Sequence, residues 1–163
     1  MNYKNNHFYI ENVSAEKIAK KYGTPLYSYS LKKLKNNIQN FKNYFKSFNP
    51  LICFSVKSNS NLEILKQIKK MGLGADVVSQ GEMMKALKAR INSKKIVFSG
   101  VGKTEEEISK AIKKRILLIN VESESEAILI NKISKKLNKK TSIGIRLNPN
   151  ISGNTHKKIS TGS

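Results

Sequence analysis

Between residues 31 and 45 the apolar side chains Leu31, Leu34, Ile38, Phe41 and Phe45 recur at steps of three and four, the spacing of one helix face. Beyond residue 50, short apolar runs alternate with stripes of this kind. The runs at 51–57, 74–79, 96–99, 116–121 and 142–147 read as strands. Helices are expected over 61–71, 82–90, from 104 onward and from 123 to about 137. Ser60 and Glu63, Thr104 and Glu107, and Ser123 and Glu126 each have the spacing of a capping box, which marks three helix starts. Ahead of this, residues 1–13 read as polar and irregular, with a short strand available at Phe8, Tyr9 and Ile10. Ser14 opens a short helix through Lys21, Gly23-Thr24-Pro25 stops it, and Leu26-Tyr27-Ser28-Tyr29 alternates like a strand.

The strand–helix alternation repeats every ~20–25 residues, the length of a βα unit, and so predicts a parallel α/β architecture. Such a repeat could build an open doubly wound sheet or part of a closed barrel. The first βα turn lacks G-x-G-x-x-G, which counts against a dinucleotide-binding sheet. Alternation within the strands sorts their faces. Ile52, Phe54 and Val56 share one side and Cys53, Ser55 and Lys57 the other; Ile143, Ile145 and Leu147 oppose Gly144, Arg146 and Asn148. If the second set points into a barrel, Lys57, Asp76, Asn120, Arg146 and Asn148 gather near its C-terminal mouth, where barrel enzymes keep their catalytic groups.

Lys57 is the residue that most needs explaining. An apolar strand ends in it, and such a lysine either reaches out to water or sits desolvated, in which state it loses its proton and becomes a nucleophile. Position alone leaves both readings open. Glu82 is either a first-turn residue that suits a helix dipole or a carboxylate of the same site as Asp76. Of the two histidines, His7 is expected to be exposed, whereas His156 follows the last strand, where barrel loops carry function.

Composition changes this picture little. The formal charge is +20, yet the cations are nearly all lysines spread over polar helix faces, and the arginines are only Arg90, Arg115 and Arg146. No helix-turn-helix, zinc-finger or RNA-binding signature accompanies them, so a solvated basic surface is expected, with no specific nucleic-acid partner. Cys53 is the sole cysteine, which excludes an internal disulfide and a cysteine-based metal site. Gly100-Val101-Gly102-Lys103-Thr104 lacks the earlier glycine of a phosphate loop, because Val97 stands there, and it reads as a turn into a helix. No run is long enough to span a bilayer, so a cytoplasmic protein without membrane contact is expected.

Several stretches, in order along nearly the whole chain, resemble one family. Phe54-Ser55-Val56-Lys57-Ser58-Asn59-Ser60-Asn61 is similar to the cofactor-lysine motif of the diaminopimelate decarboxylases, pyridoxal-phosphate enzymes with an alanine-racemase-like barrel. Lys21-Tyr22-Gly23-Thr24-Pro25-Leu26-Tyr27, Gly74-Ala75-Asp76-Val77-Val78-Ser79-Gln80-Gly81-Glu82 and Phe98-Ser99-Gly100-Val101-Gly102-Lys103-Thr104 resemble further family segments. So do Asn120-Val121-Glu122-Ser123, Arg146-Leu147-Asn148-Pro149 and His156-Lys157-Lys158-Ile159-Ser160-Thr161-Gly162.

The resemblance implies an N-terminal segment over 1–30, then about five strands of an eight-stranded (β/α)8 TIM barrel over 31–163. It implies pyridoxal 5'-phosphate bonded to Lys57, which is also the catalytic residue, with Asp76 and Arg146 beside the cofactor. Glu82, His156 and Ser160 are implied as active-site loop or supporting residues. The implied reaction removes CO₂ from meso-2,6-diaminopimelate to give L-lysine in a homodimer. The family's ring-stacking histidine, glycine-rich phosphate loop, acidic partner of the pyridine nitrogen and C-terminal β-domain have no counterpart in these residues. A fragment of a longer enzyme, poorly stable and inactive by itself, is therefore expected. A decarboxylase of ornithine or arginine, or a non-catalytic pyridoxal-phosphate barrel, are the alternatives.

Overall fold

A computed structural model describes residues 2–148. It falls into two units that meet in sequence at Pro50 and Leu51.

In the first unit, β1 (Asn2–Lys4), β2 (His7–Ile10) and β3 (Val13–Ser14) form an antiparallel sheet. The β1–β2 connection is the two-residue turn Asn5-Asn6, with φ of 47° and 60°. Positive φ at both positions gives a turn whose twist matches the strands, and asparagine tolerates it. The expected strand at residues 8–10 is thus present, but the irregular start is corrected: its strands are too short and polar for alternation to reveal. Ser14 caps α1 (Ala15–Tyr22) by accepting the Lys17 N–H, and Gly23 ends it at φ 80°. The strand expected at 26–29 does not form. Tyr27 there is 90% exposed, and aromatic alternation without a pairing partner makes no ladder. Ser30 caps α2 (Leu31–Tyr44) through the Lys33 N–H. Glu11, at φ 58° in the β2–β3 turn, accepts from the Ser30 hydroxyl and the Lys32 N–H, both at 2.8 Å, and so ties the sheet to the start of α2.

In the second unit, β4 (Cys53–Ser55), β5 (Gly74–Val77), β6 (Ile96–Phe98), β7 (Leu118–Val121) and β8 (Ile143–Ile145) form one parallel sheet in sequence order. Helices α3 (Leu62–Lys70), α4 (Gln80–Lys88), α5 (Glu105–Lys113) and α6 (Glu124–Lys136) fill the intervals. Consecutive order removes the doubly wound alternative, which needs a point where strand order reverses.

Register aligns the outward face as half-buried Phe54, then Ala75 and Val77, Ile96 and Phe98, and Ile119 and Val121, all buried, with buried Val56 just past the end of β4. Leu65, Ile68, Met83, Ala86, Ile108, Ala111, Ile112, Ile130 and Ile133 cover them from the helices. Each fully buried large aliphatic chain contributes ~1.5–3 kcal/mol, so this layer supplies most of the unit's cohesion. The inward face carries Ser55, Asp76 and Asn120 together with Cys53, Val97 and Leu118.

Two local expectations change. The box expected at Ser60 and Glu63 is not formed: Asn61 caps α3 by accepting the Glu63 N–H at 2.9 Å, while the Ser60 hydroxyl accepts from Lys85. Strand β4 also ends at Ser55, and Val56–Ser58 forms a single 3₁₀ turn.

Candidate active site

The first row of the site lies on the inward face at the carboxyl ends of β5, β6 and β7. Asp76 on β5 is half-buried, and its Oδ1 accepts the Ser99 hydroxyl at 2.5 Å. Ser99 follows β6 and keeps the strand alternation because its N–H still bonds the Val77 carbonyl at 2.8 Å. The Asn120 amide on β7 donates to Ser99 Oγ at 2.9 Å. Ser99 has a single O–H, and it goes to Asp76, so the chain of bonds runs in one direction: amide to hydroxyl to carboxylate. Bonds aligned in this way polarise one another and hold the carboxylate in place. Gly144 of β8 pairs in register with Asn120, and a Cβ there would come within 2.5 Å of Asn120 Oδ1. Glycine leaves the room this amide occupies.

Lys57 sits one strand away, in the turn that follows β4. The Ser58 hydroxyl donates to the Ser55 carbonyl at 2.7 Å, and the Asn59 N–H reaches the Val56 carbonyl at 3.0 Å, which closes the turn. The turn packs on β5 and α4. Lys57 is exposed, and its ammonium makes no hydrogen bond or ion pair with any described residue. Of the two states left open by the sequence, the structure shows the amine reaching solvent. The strand-end reading is corrected as well, because the turn, rather than the pleat, sets the direction of Lys57.

Arg146 does not join Asp76. It leaves β8 with its N–H on the Val121 carbonyl, and its guanidinium reaches both Glu122 oxygens at 3.3 and 3.5 Å. Three strand spacings separate β8 from β5, about 14 Å, beyond direct contact. Glu82 serves its own helix: Ser79 caps α4 through the Glu82 N–H, and Glu82 Oε2 accepts the Val78 N–H at 3.0 Å. His156 and Ser160 lie outside the described residues.

Sequence reasoning missed a second cluster behind the row. Lys103, read as a turn residue, has a side chain only 2% exposed and pairs with Glu126 at 2.9 Å. Glu122 Oε1 accepts the Gly100 N–H at 3.1 Å. The one available signal was the capping-box spacing at Ser123. Ser123 does cap α6, but Glu126 turns its carboxylate to the Glu122 N–H and to Lys103 instead of completing the box. Burial, and then the Asp76 charge, push the Cys53 thiol above its ordinary range, so it is a protonated wall of the site. No cluster of three metal-ligating side chains exists among the described residues.

Consecutive parallel strands, helices on their outer side and polar residues aligned at their carboxyl ends define part of a (β/α)8 barrel of the enzyme kind. The chain belongs to the family described as pyridoxal-dependent decarboxylase, pyridoxal binding domain, whose model matches residues 31–163. It is 44% identical to the diaminopimelate decarboxylase of Aquifex aeolicus, over 99% of this chain and 38% of that protein. The solved structure of the Helicobacter pylori diaminopimelate decarboxylase complexed with L-lysine is 47% identical, with a TM-score of 0.87 over 90% of this chain and 37% of that one. The diaminopimelate decarboxylase structure from Methanocaldococcus jannaschii gives 41% and 0.88 over 98% and 38%. The chain thus spans less than two fifths of the length of these relatives.

Proposed function

We propose that this chain is the lysine-bearing part of a diaminopimelate decarboxylase, in which Lys57 holds pyridoxal 5'-phosphate and meso-2,6-diaminopimelate is converted to L-lysine and CO₂. The observation that carries the reading is the Lys57 amine, without a partner among the described residues, in the turn just past the carboxyl end of β4 and one strand from the Asp76 row. These residues fit the cofactor. Bonding an aldehyde needs a primary amine free of an ion pair, and Lys57 makes none with the described residues. Bound pyridoxal phosphate supplies an electron sink for the pair left behind when a carboxylate departs as CO₂.

The chain's own residues do the rest. Lys57 would hold the cofactor through Nζ, which must be in its neutral amine form to do so. Asp76, fixed by Ser99 and steadied by Asn120, is read as a stationary carboxylate one strand from Lys57, the kind of preorganised group that stabilises positive charge without reorganising. Arg146 belongs to this reading as a support held by Glu122, and Glu82 as a residue that sets the start of α4. His156 and Ser160 enter it as residues of the loop beyond Asn148. The full-length protein is read as a homodimer in the cytoplasm. No described helix is long and apolar enough to cross a membrane.

Borohydride reduction of the full-length protein with pyridoxal phosphate, followed by peptide mapping, tests the assignment. Label on Lys57 and release of L-lysine from meso-diaminopimelate are expected. Label on another lysine overturns the site, and preferential decarboxylation of ornithine or arginine overturns the substrate.

A further inference from the structure

The backbone ladder between β6 and β7 ends at the pair Phe98 and Ile119. One residue further on, Ser99 and Asn120 face inward and carry the polar row; each is still bonded to its other neighbour, Ser99 to Val77 and Asn120 in register with Gly144, but no β6–β7 pairing joins the two. Lys103 spans that gap. Its three ammonium hydrogens have three acceptors: the Gly100 carbonyl at 2.6 Å, the Asn120 carbonyl at 2.7 Å and Glu126 Oε1 at 2.9 Å. One carbonyl belongs to the residue after Ser99, the other to Asn120 itself. Glu126 Oε2 takes the Glu122 N–H at 2.8 Å, and Glu122 takes the Gly100 N–H, so Gly100 is held at both its N–H and its carbonyl. Gly100 stands at φ 101°, a conformation that a residue with a side chain rarely adopts. The lysine and glutamate side chains are 2% and 9% exposed.

Stability is a weak reason for such a pair, because well-packed apolar residues usually serve a buried site as well or better. What an ion pair with saturated donors supplies is a fixed direction. We propose that Lys103, with Glu126, is a positioning residue that aligns Ser99 and Asn120, and through them Asp76, for the cofactor-bearing Lys57. The inference rests on the reading of Lys57 given above, and it adds a support that acts from behind the strands without touching cofactor or substrate.

The test is a double-mutant cycle in the full-length holoenzyme, with Lys103→Met, Ser99→Ala and their combination, and with Lys103→Arg and Glu126→Gln alongside. Three readouts are followed: the apparent affinity for pyridoxal phosphate, the pH at which the absorbance of the bound cofactor titrates, and kcat against KM. Lys103→Met is expected to lower kcat about tenfold or more, the scale of a lost bond to a charged group. It should leave KM within about threefold and move the absorbance titration, with partial rescue by Lys103→Arg. Ser99→Ala should then add little in the Lys103→Met background, because the row is already released. Effects of the two substitutions that multiply, or an unchanged titration and kcat in folded Lys103→Met, overturn the proposal. If Lys103→Met does not fold, the near-isosteric Glu126→Gln takes its place in the cycle under the same criteria. Side-chain amide exchange of Asn120 in the cofactor-free protein reads the coupling independently: faster exchange in the variants is expected, and unchanged exchange overturns the proposal. A failed substrate assay with this coupling intact would therefore fall on the proposed reaction alone.

Discussion

Gly74 and Gly144 make the sharpest paired prediction, because both sit on the inward face and the same methyl group meets different obstacles. At Gly74 an added Cβ overlaps the Lys95 carbonyl oxygen, lies 2.8 Å from Cys53 Sγ and 3.1 Å from the Lys95 carbonyl carbon. The obstacle is backbone at the entry to β6, so β5 and β6 must move apart. Overpacking of this kind costs ~1–3 kcal/mol and occasionally more, and the carbonyl leaves no rotamer to escape into. Glycine to alanine also stiffens the unfolded chain, which returns ~0.4–1 kcal/mol where φ is ordinary. A net loss of about 2 kcal/mol, the upper end of the overpacking cost less the unfolded-state gain, is expected for Gly74→Ala.

At Gly144 the Cβ meets only the tip of Asn120, at 2.5 Å, and Leu118 Cδ1 at 3.4 Å. Asn120 can rotate away and lose its bond to Ser99, a cost of about 1 kcal/mol that the unfolded-state gain nearly cancels. Gly144→Ala is therefore expected to leave the urea midpoint of the full-length protein almost unchanged while speeding exchange of the Asn120 side-chain amide; Gly74→Ala should lower the midpoint clearly. Far-UV circular dichroism through the unfolding transition gives both values. Equal destabilisation by the two substitutions, or a wild-type Asn120 amide in Gly144→Ala, would refute the reasoning.

Two further outcomes follow from the helix starts. Backbone N–H groups of Thr104 and Gln80 hold the Glu107 carboxyl below its ordinary 4.5. A depressed folded value means stability that is fully present above 4.5 and is lost as pH falls through the folded value. Glu107→Gln should thus unfold at lower urea than wild type at pH 6, with the gap closing toward pH 3, and a pH-independent gap would contradict the account. At the start of α3, Asn61→Ala should cost about 1 kcal/mol as a lost cap. Ser60→Ala, whose hydroxyl bonds the Lys85 ammonium and no other described residue, should stay within about 0.5 kcal/mol, and the reverse order would restore Ser60 as the cap.

The strand–helix alternation was legible because each element buries one side, and burial prints its period on the sequence. In β8 the pattern gave the face but not the burial: Ile143 and Ile145 register with buried Ile119 and Val121 yet are themselves 46% and 74% exposed. Where elements stop was less legible. Whether β4 runs on to Lys57 is settled by a hydroxyl that folds the chain at Ser58, and periodicity carries no record of such a bond. The N-terminal sheet escaped because Asn5 and Asn6 make a tight turn between strands of three and four residues. Leu26-Tyr27-Ser28-Tyr29 had a strand's composition and no partner.

The site divides in the same way. Sequence by itself determined the parallel sheet, the inward placement of Asp76 and Asn120, and the family, because these depend on local pattern and on strings of neighbouring residues. Only the tertiary structure decided that Ser99 joins Asp76 to Asn120, that Arg146 belongs to Glu122, and that Lys103 is buried against Glu126. Those partners lie more than twenty residues apart in the chain and meet because parallel strands return their carboxyl ends to one edge. A lysine in a glycine-rich turn looks the same in sequence whether it faces water or closes three hydrogen bonds, and only the packing of β6, β7 and α6 around it separates the two.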